Sequence, residues 1–200
     1  MTATPTSSNN LTTVKQQLLD LICTDAYKEG DFTLSSGQQS SYYINGKLVT
    51  LHPQGGQMVG QVILDYLDDS VIGVGGLTLG ADPIVTAVSV VAAYEGHSIT
   101  PLIVRKEAKG HGTQAYIEGP VLPENSNVVI LEDVVTTGQS AMKAIVRLRE
   151  AGYAVNQVIS IVDRQQGGSE HYAQENIDFK AVYTISEIQA RWKELKALSE

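Results

Sequence analysis

A single cysteine, Cys23, in 200 residues excludes an internal disulfide. That usage fits a reducing compartment, so a cytoplasmic location is expected. Cys23 falls on the apolar side of a helical pattern and reads as core, not as a nucleophile. Basic residues are also scarce: 14 Lys and Arg stand against 22 Asp and Glu, a formal net charge of −8. General binding to nucleic acid or to a membrane surface needs a basic face, so both partner classes are disfavoured. The sequence contains no apolar run long enough to span a bilayer and no evident secretory leader. Internal repeats and metal-type Cys/His spacings are missing as well.

What is present reads as one domain, with enough chain for a substantial core and a small accessory lobe. Residues 1–10 carry almost no apolar side chains and are expected to form a disordered leader, leaving 11–200 as the domain. Leu11, Val14, Leu18, Leu21 and Ile22 recur at helical spacing, predicting an amphipathic helix that ends near Gly30. Phe32–Leu34 and Ser41–Asn45 predict two short strands around Ser36-Gly37, a hairpin signal. A helix opening at Pro53 follows, then a strand over Val71–Val74 and a Gly-rich turn from Gly75 to Ala81. An apolar helix to about Tyr94 and a strand over Ile99–Val104 come next. Further strands are expected at Val128–Leu131, Val155–Val162 and Phe179–Thr184, with a C-terminal helix over Ile185–Leu198. This alternation predicts an α/β fold: a doubly wound parallel sheet with helices on both faces.

The stretch from Val128 to Ser140, VVILEDVVTTGQS, concentrates the chemistry. An apolar strand is followed by Glu132 and Asp133, then Val134 and Val135, then the turn Thr136-Thr137-Gly138-Gln139-Ser140 before a helix from Ala141. Free N–H groups at a helix start, with a glycine for close approach, form an anion site suited to a phosphate. Thr136, Thr137 and Ser140 add hydroxyl donors. The two acids would repel a phosphate. They suit sugar hydroxyls or a hydrated cation instead. A ligand with a phosphate at one end and a polyol beside it fits both halves. The blander alternative is an ordinary strand-to-helix turn with solvated acids and a hydroxyl cap.

Two other stretches stand out. Arg105-Lys106-Glu107-Ala108-Lys109-Gly110-His111-Gly112 packs three cations and a histidine into an acidic chain. A charge run is usually a solvated face. After a core strand in a chain with a phosphate cradle, it reads instead as a loop that meets a highly charged anion. Arg164 follows the Val155 strand, at the carboxyl end where ligands of open α/β sheets bind. Its planar fork matches a carboxylate; a surface pair with a neighbouring acid is the alternative.

These segments resemble the type I phosphoribosyltransferases, and within them the orotate-using branch, from about Phe32 to the C-terminal helix. The phosphate signature, the FTLSSGQQSSYYIN region and the RKE-x-K-x-HG pattern carry the likeness. The resemblance implies transfer of a phosphoribosyl group from phosphoribosyl pyrophosphate (PRPP) to orotate, releasing pyrophosphate, in pyrimidine synthesis. It implies a hood built around residues 11–50, and PRPP contacts from Arg105, Lys106, Lys109, His111, Glu132, Asp133 and Val134 through Ser140. Lys109, Asp133, Arg105 and His111 would act in catalysis. Thr136, Arg164, Tyr43 and Ile44 would meet orotate, whereas Tyr42 is read as a packing aromatic. Mg²⁺ would ride mainly on substrate oxygens, with Asp133 able to reach it through a water. A homodimer with shared active sites is also implied.

Two positions depart from the pattern: Ser35 stands where many relatives have lysine, and Leu79-Gly80 where some have Tyr-Lys. The alternatives are a phosphoribosyltransferase for another base, which Arg164 and the basic loop oppose, and a non-catalytic PRPP-sensing regulator, which the acidic balance opposes.

Overall fold

The computed structural model of the chain describes residues 8–33, 37, 39–108 and 116–199. Residues 1–7 of the expected leader, and Ser35, Lys109 and His111, lie outside them. Helix α1, Ser8–Leu21, begins three residues before the expected boundary.

The helical path does not reach Gly30. It passes through one π-helical turn, Ile22–Ala26, and the backbone then turns extended at Tyr27. Strand β1, Tyr27–Thr33, pairs antiparallel with β2, Gln39–Ile44, in the expected hairpin. Tertiary packing overrides the helical pattern at this point. Tyr27 is buried between Tyr42, stacked at 5.9 Å, and Trp192, edge-on at 5.8 Å. A short helix α2, Lys47–Thr50, leads into α3, Pro53–Tyr66. His52 caps α3 by accepting the Gly55 N–H at 3.2 Å.

The remaining elements are β3 Gly73–Leu77, α4 Asp82–Tyr94, β4 Thr100–Val104, β5 Ile117–Glu118, β6 Val128–Val135 and α5 Gln139–Glu150. They are followed by β7 Gln157–Asp163, α6 Gly168–Gln174, β8 Asp178–Thr184 and α7 Ile185–Ser199. The main sheet runs β5-β4-β3-β6-β7-β8, all parallel except for the antiparallel edge pair β4/β5. The order reverses between β3 and β6, which makes their carboxyl ends the switch-point crevice where open sheets bind ligands.

Alternation along β6 sends successive side chains to opposite layers. Val129 and Leu131 pack with Val62 and Ile63 of α3 and with Ile84 and Val88 of α4. Val128 and Ile130 pack with Ala144, Ile145 and Leu148 of α5 and with Tyr172 of α6. Fully burying one such aliphatic side chain stabilises the fold by roughly 1.5–3 kcal/mol. Cys23 lies in the first layer as expected, 2 % exposed, its thiol directed to the Ile188 carbonyl.

Gly75 and Gly76 were expected in a turn, but they lie inside β3. A Cβ on Gly75 would meet Leu148 Cδ1 at 2.9 Å, and one on Gly76 would collide with Ala81 and the Leu131 carbonyl. They are strand glycines because Leu148 of α5 presses on one of them, and Ala81 and the Leu131 backbone of β6 press on the other. The turn itself is confined to 78–81, before α4, and its Thr78–Leu79 peptide is cis.

Candidate active site

Strand β6 continues through both acids to Val135, in register with Ser160, Val162 and Asp163 of β7. Glu132 and Asp133 therefore do not sit side by side beyond the strand end; the pleat turns them to opposite layers. Glu132 faces α5 and α6 and is 6 % exposed, with Oε1 unpartnered among the described residues. Burial first, and then the neighbouring Asp133 charge, push its carboxyl up to about 8. Asp133 faces the other layer, where Oδ1 accepts the Val134 N–H at 2.9 Å and Oδ2 lies 3.8 Å from Lys47 Nζ. Gly46 and Gly80 press on it from two sides. A Cβ on Gly46 would sit 2.8 Å from Asp133 Cβ, and one on Gly80 would sit 2.7 Å from Oδ1.

The turn 136–140 forms the expected cradle, and the following helix starts at Gln139. Gly138 is left-handed, φ +80°, and a Cβ there would meet the Tyr172 ring at 2.9 Å. No side chain caps α5, so its first N–H groups point outward, available to an anion. Gly168, at the start of α6, packs its Cα against Val135 and the Thr136 carbonyl so closely that a Cβ would overlap Val135. The cradle walls a cavity of about 220 Å³ together with Glu132, Lys143 and Tyr172. A second cavity of about 280 Å³ shares Glu132, Val134 and Ser140 with it and adds Lys47, Thr78, Leu79, Gly80, Lys106 and Asp133. One lobe is lined by the hydroxyls and amides of 136–140 with Glu132 and Lys143, the other by two lysines and two acids. Together they suit a phosphate, a polyol and a second, more highly charged anion.

Arg164 stands over this end of the sheet, tied by its own N–H to the Val135 carbonyl at 2.9 Å. Its guanidinium is buried against the hairpin: Nε donates to the Tyr42 hydroxyl at 3.1 Å, Nη2 reaches Ser40 Oγ at 3.4 Å, and the group lies 4.8 Å from the Tyr42 ring centre. Tyr42 is the packing aromatic that was expected, and it also orients Arg164. Nη1 has no partner among the described residues, which leaves one edge of the fork for a ligand. Tyr43 is not brought to Arg164. It points to the other face of β2, its ring 5.6 Å from Phe32, while Ile44 packs into the core layer.

Arg105 N–H donates to the Tyr116 carbonyl at 2.7 Å, closing the base of the basic segment, and Arg105 Nη1 pairs with Glu118 at 3.1 Å. Arg147 of α5 donates to the Arg105 carbonyl and to the Lys106 carbonyl at 3.0 Å, and lies over the Tyr116 ring at 4.1 Å. The helix that begins at the phosphate cradle thus holds Arg105 and Lys106 two turns further on.

The structure therefore brings Glu132 through Ser140 and Lys106 around one crevice, with Arg164 bonded to Val135 at the same strand end, while Arg105 is paired with Glu118 and does not line the cavities. Sequence reasoning missed Lys47, Ser40, Arg147 and Tyr172. A lone Lys or Arg on a helix carries no local signal, and α2 and α6 were not anticipated.

A family model described as uracil phosphoribosyltransferase matches residues 84–191, which include the cradle but not the hairpin. The orotate phosphoribosyltransferase of Nostoc sp. is 65% identical over 186 residues, covering 93% of this chain and 90% of the relative. Among solved structures, the orotate phosphoribosyltransferase of Mycobacterium tuberculosis H37Rv in complex with Fe(III) dicitrate superposes with a TM-score of 0.78. It is 34% identical, over 88% of this chain and 98% of that one. The same enzyme in complex with PRPP gives 0.74 at 30% identity, over 88% and 99%.

Proposed function

The chain belongs to the orotate phosphoribosyltransferases, and on that premise we propose how its own residues share the reaction. It transfers the phosphoribosyl group of PRPP to orotate, giving orotidine monophosphate and pyrophosphate, in pyrimidine synthesis. The observation that carries the assignment of roles is the pair of cavities that share Glu132, Val134 and Ser140 at the β3/β6 switch point, with Arg164 bonded to Val135 at the same end of the sheet.

In this reading the amides and hydroxyls of Thr136–Ser140 anchor the 5-phosphate, the helix start supplying oriented dipoles. Glu132 and Asp133 approach the ribose from opposite sides, since the pleat separates them. The second lobe takes the pyrophosphate, which meets Lys106 and the Arg105 side chain, with Lys109 and His111 of the segment that follows. Arg164 offers the free edge of its fork to the orotate carboxylate, and Thr136 lies at the same strand end.

No nucleophile on the protein is required. The bond to pyrophosphate breaks with oxocarbenium character at the anomeric carbon, so catalysis rests on positioning the base and on stabilising the departing charge. The described residues contain no cluster of three or more His, Cys, Asp or Glu that would cage a metal. This donor set fits Mg²⁺ carried on substrate oxygens with waters retained, and Asp133 would reach it through a water. When bound, Mg²⁺ supplies charge neutralisation on the diphosphate.

A homodimer is part of the proposal, as is a cytoplasmic location. Val90 and Tyr94 on α4, 50 % and 80 % exposed, offer apolar surface for a second copy. No helix among the described residues is long and apolar enough to cross a membrane. Loss of orotate absorbance in the presence of PRPP and Mg²⁺, with none when either is left out, tests the activity. Absence of any turnover, with PRPP still binding, would favour the sensing regulator.

A further inference from the structure

We infer that Lys47 is a further substrate-binding residue, a fixed cation for the diphosphate of PRPP. This deepens the reading above and rests on it. The motifs gave no hint of Lys47. It comes from the way α2 is clamped to the end of β6.

Three features hold that clamp. Asn45 N–H donates to the Ala26 carbonyl at 3.0 Å, and the Gly46 carbonyl accepts from Val49 and Thr50 at 3.0 and 2.9 Å. Val49 and Thr50 are buried, 1 % and 4 % exposed, so the helix cannot swing outward without unpacking them. Gly46 has no Cβ because Asp133 Cβ would be 2.8 Å from it. Any side chain at 46 would lift α2 off the strand.

The result places Lys47 Nζ 3.8 Å from Asp133 Oδ2, on the wall of the 280 Å³ cavity that Lys106 also lines. That distance is too long for a hydrogen bond. With the side chain 46 % exposed, the pair adds little to stability. Nor is Lys47 needed to orient Asp133, whose Oδ1 is taken by Val134 N–H and which is flanked by Gly46 and Gly80. The ammonium therefore keeps its three donors available at the cavity mouth.

A multiply charged diphosphate ester entering this lobe meets Glu132 and Asp133 on one wall. Among the described residues, the cations on that cavity are Lys47 and Lys106. Lys106 is exposed and sits in the basic segment, whereas Lys47 opens a one-turn helix whose Val49 and Thr50 are buried. The backbone of Lys47 is therefore fixed at the cavity before the substrate arrives, and only its side chain has to settle on the charge.

The test compares Lys47→Met, which keeps the stem and removes the charge, with Lys47→Arg. Pyrophosphate binding is measured by calorimetry with Mg²⁺ present, alongside KM for PRPP and for orotate and the melting temperature. Loss of one charge-assisted contact corresponds to about a tenfold or greater effect. The expected result for Lys47→Met is that much weaker pyrophosphate binding and a comparable rise in the PRPP KM. The orotate KM and the melting temperature should be unchanged, and Lys47→Arg should retain most of the affinity. Unchanged pyrophosphate binding in Lys47→Met overturns the inference, whether kcat falls (a role through Asp133) or stays the same (a solvated lysine). Wild-type protein that binds neither pyrophosphate nor PRPP overturns the reading of the whole site. Wild-type protein that binds both while Lys47→Met matches it overturns Lys47 alone.

Discussion

Glu132→Gln converts a buried acid into a neutral group of the same shape, and its effect should depend on pH in a defined direction. The carboxyl is raised from 4.5 to about 8, by burial first and the Asp133 charge second. Between those two values the folded protein holds a proton that the unfolded chain has released. Unfolding then becomes easier as pH rises, because stability falls wherever the native state binds more protons. The stabilising contribution is whole below pH 4.5, declines across the window to about 8, and is fully lost above it. The slope inside that window approaches about 1.4 kcal/mol per pH unit, so the effect is on the order of a few kcal/mol across it. Urea unfolding of wild type and Glu132→Gln at pH 5, 6, 7 and 8 reads this directly. Other groups titrate alike in both proteins, so the difference isolates Glu132. The variant should gain on wild type steadily from pH 5 to 8. Parallel unfolding curves across that range would refute the reasoning, showing that Glu132 is hydrated and ionised at neutral pH.

Arg164→Lys should raise the orotate KM about tenfold or more and leave the PRPP KM nearly unchanged, since a point-like ammonium lacks the planar fork that spans Tyr42 and Ser40 while meeting a carboxylate bidentately; steady-state kinetics with each substrate varied decide it. Arg147→Ala frees the carbonyls of Arg105 and Lys106 without touching the cavities, so kcat should drop several-fold more than the orotate affinity changes, as judged by comparing turnover with orotate binding at equilibrium. Gly168→Ala places a methyl into Val135 and should destabilise by about 1–3 kcal/mol. A matching loss of PRPP binding would show that the cradle moves with α6, and unfolding curves with and without PRPP would measure both effects.

The parallel sheet, its helices and the hairpin were legible because long apolar runs and glycine-rich turns each report on a local period. The placement of Thr136–Ser140 and of Arg164 at the carboxyl end of the sheet was legible because each follows an apolar strand. What misled was the reading of boundaries from local signals. Tyr27–Gly30 continues a helical pattern, yet it pairs with β2 under Trp192. Gly75 and Gly76 look like a turn, yet they lie in β3 because Ala81, Leu131 and Leu148 crowd them. The acids read as a pair in sequence, but the pleat of β6 separates them, leaving one buried and the other beside Lys47. Contacts made across the fold, such as Arg147 on the Arg105 carbonyl and Arg164 on Tyr42, have no footprint in any single window of sequence. Lys109 and His111, singled out by the basic run, lie outside the described residues.

The central claim is that this crevice joins PRPP to orotate and to no other common base. Purified protein supplied with PRPP, Mg²⁺ and equal concentrations of orotate and uracil, with the products resolved by mass, tests it most directly. The account predicts orotidine monophosphate with stoichiometric pyrophosphate, and uracil left untouched, because only orotate presents a carboxylate to Arg164. Uridine monophosphate formed directly from uracil, with orotate remaining, would contradict it.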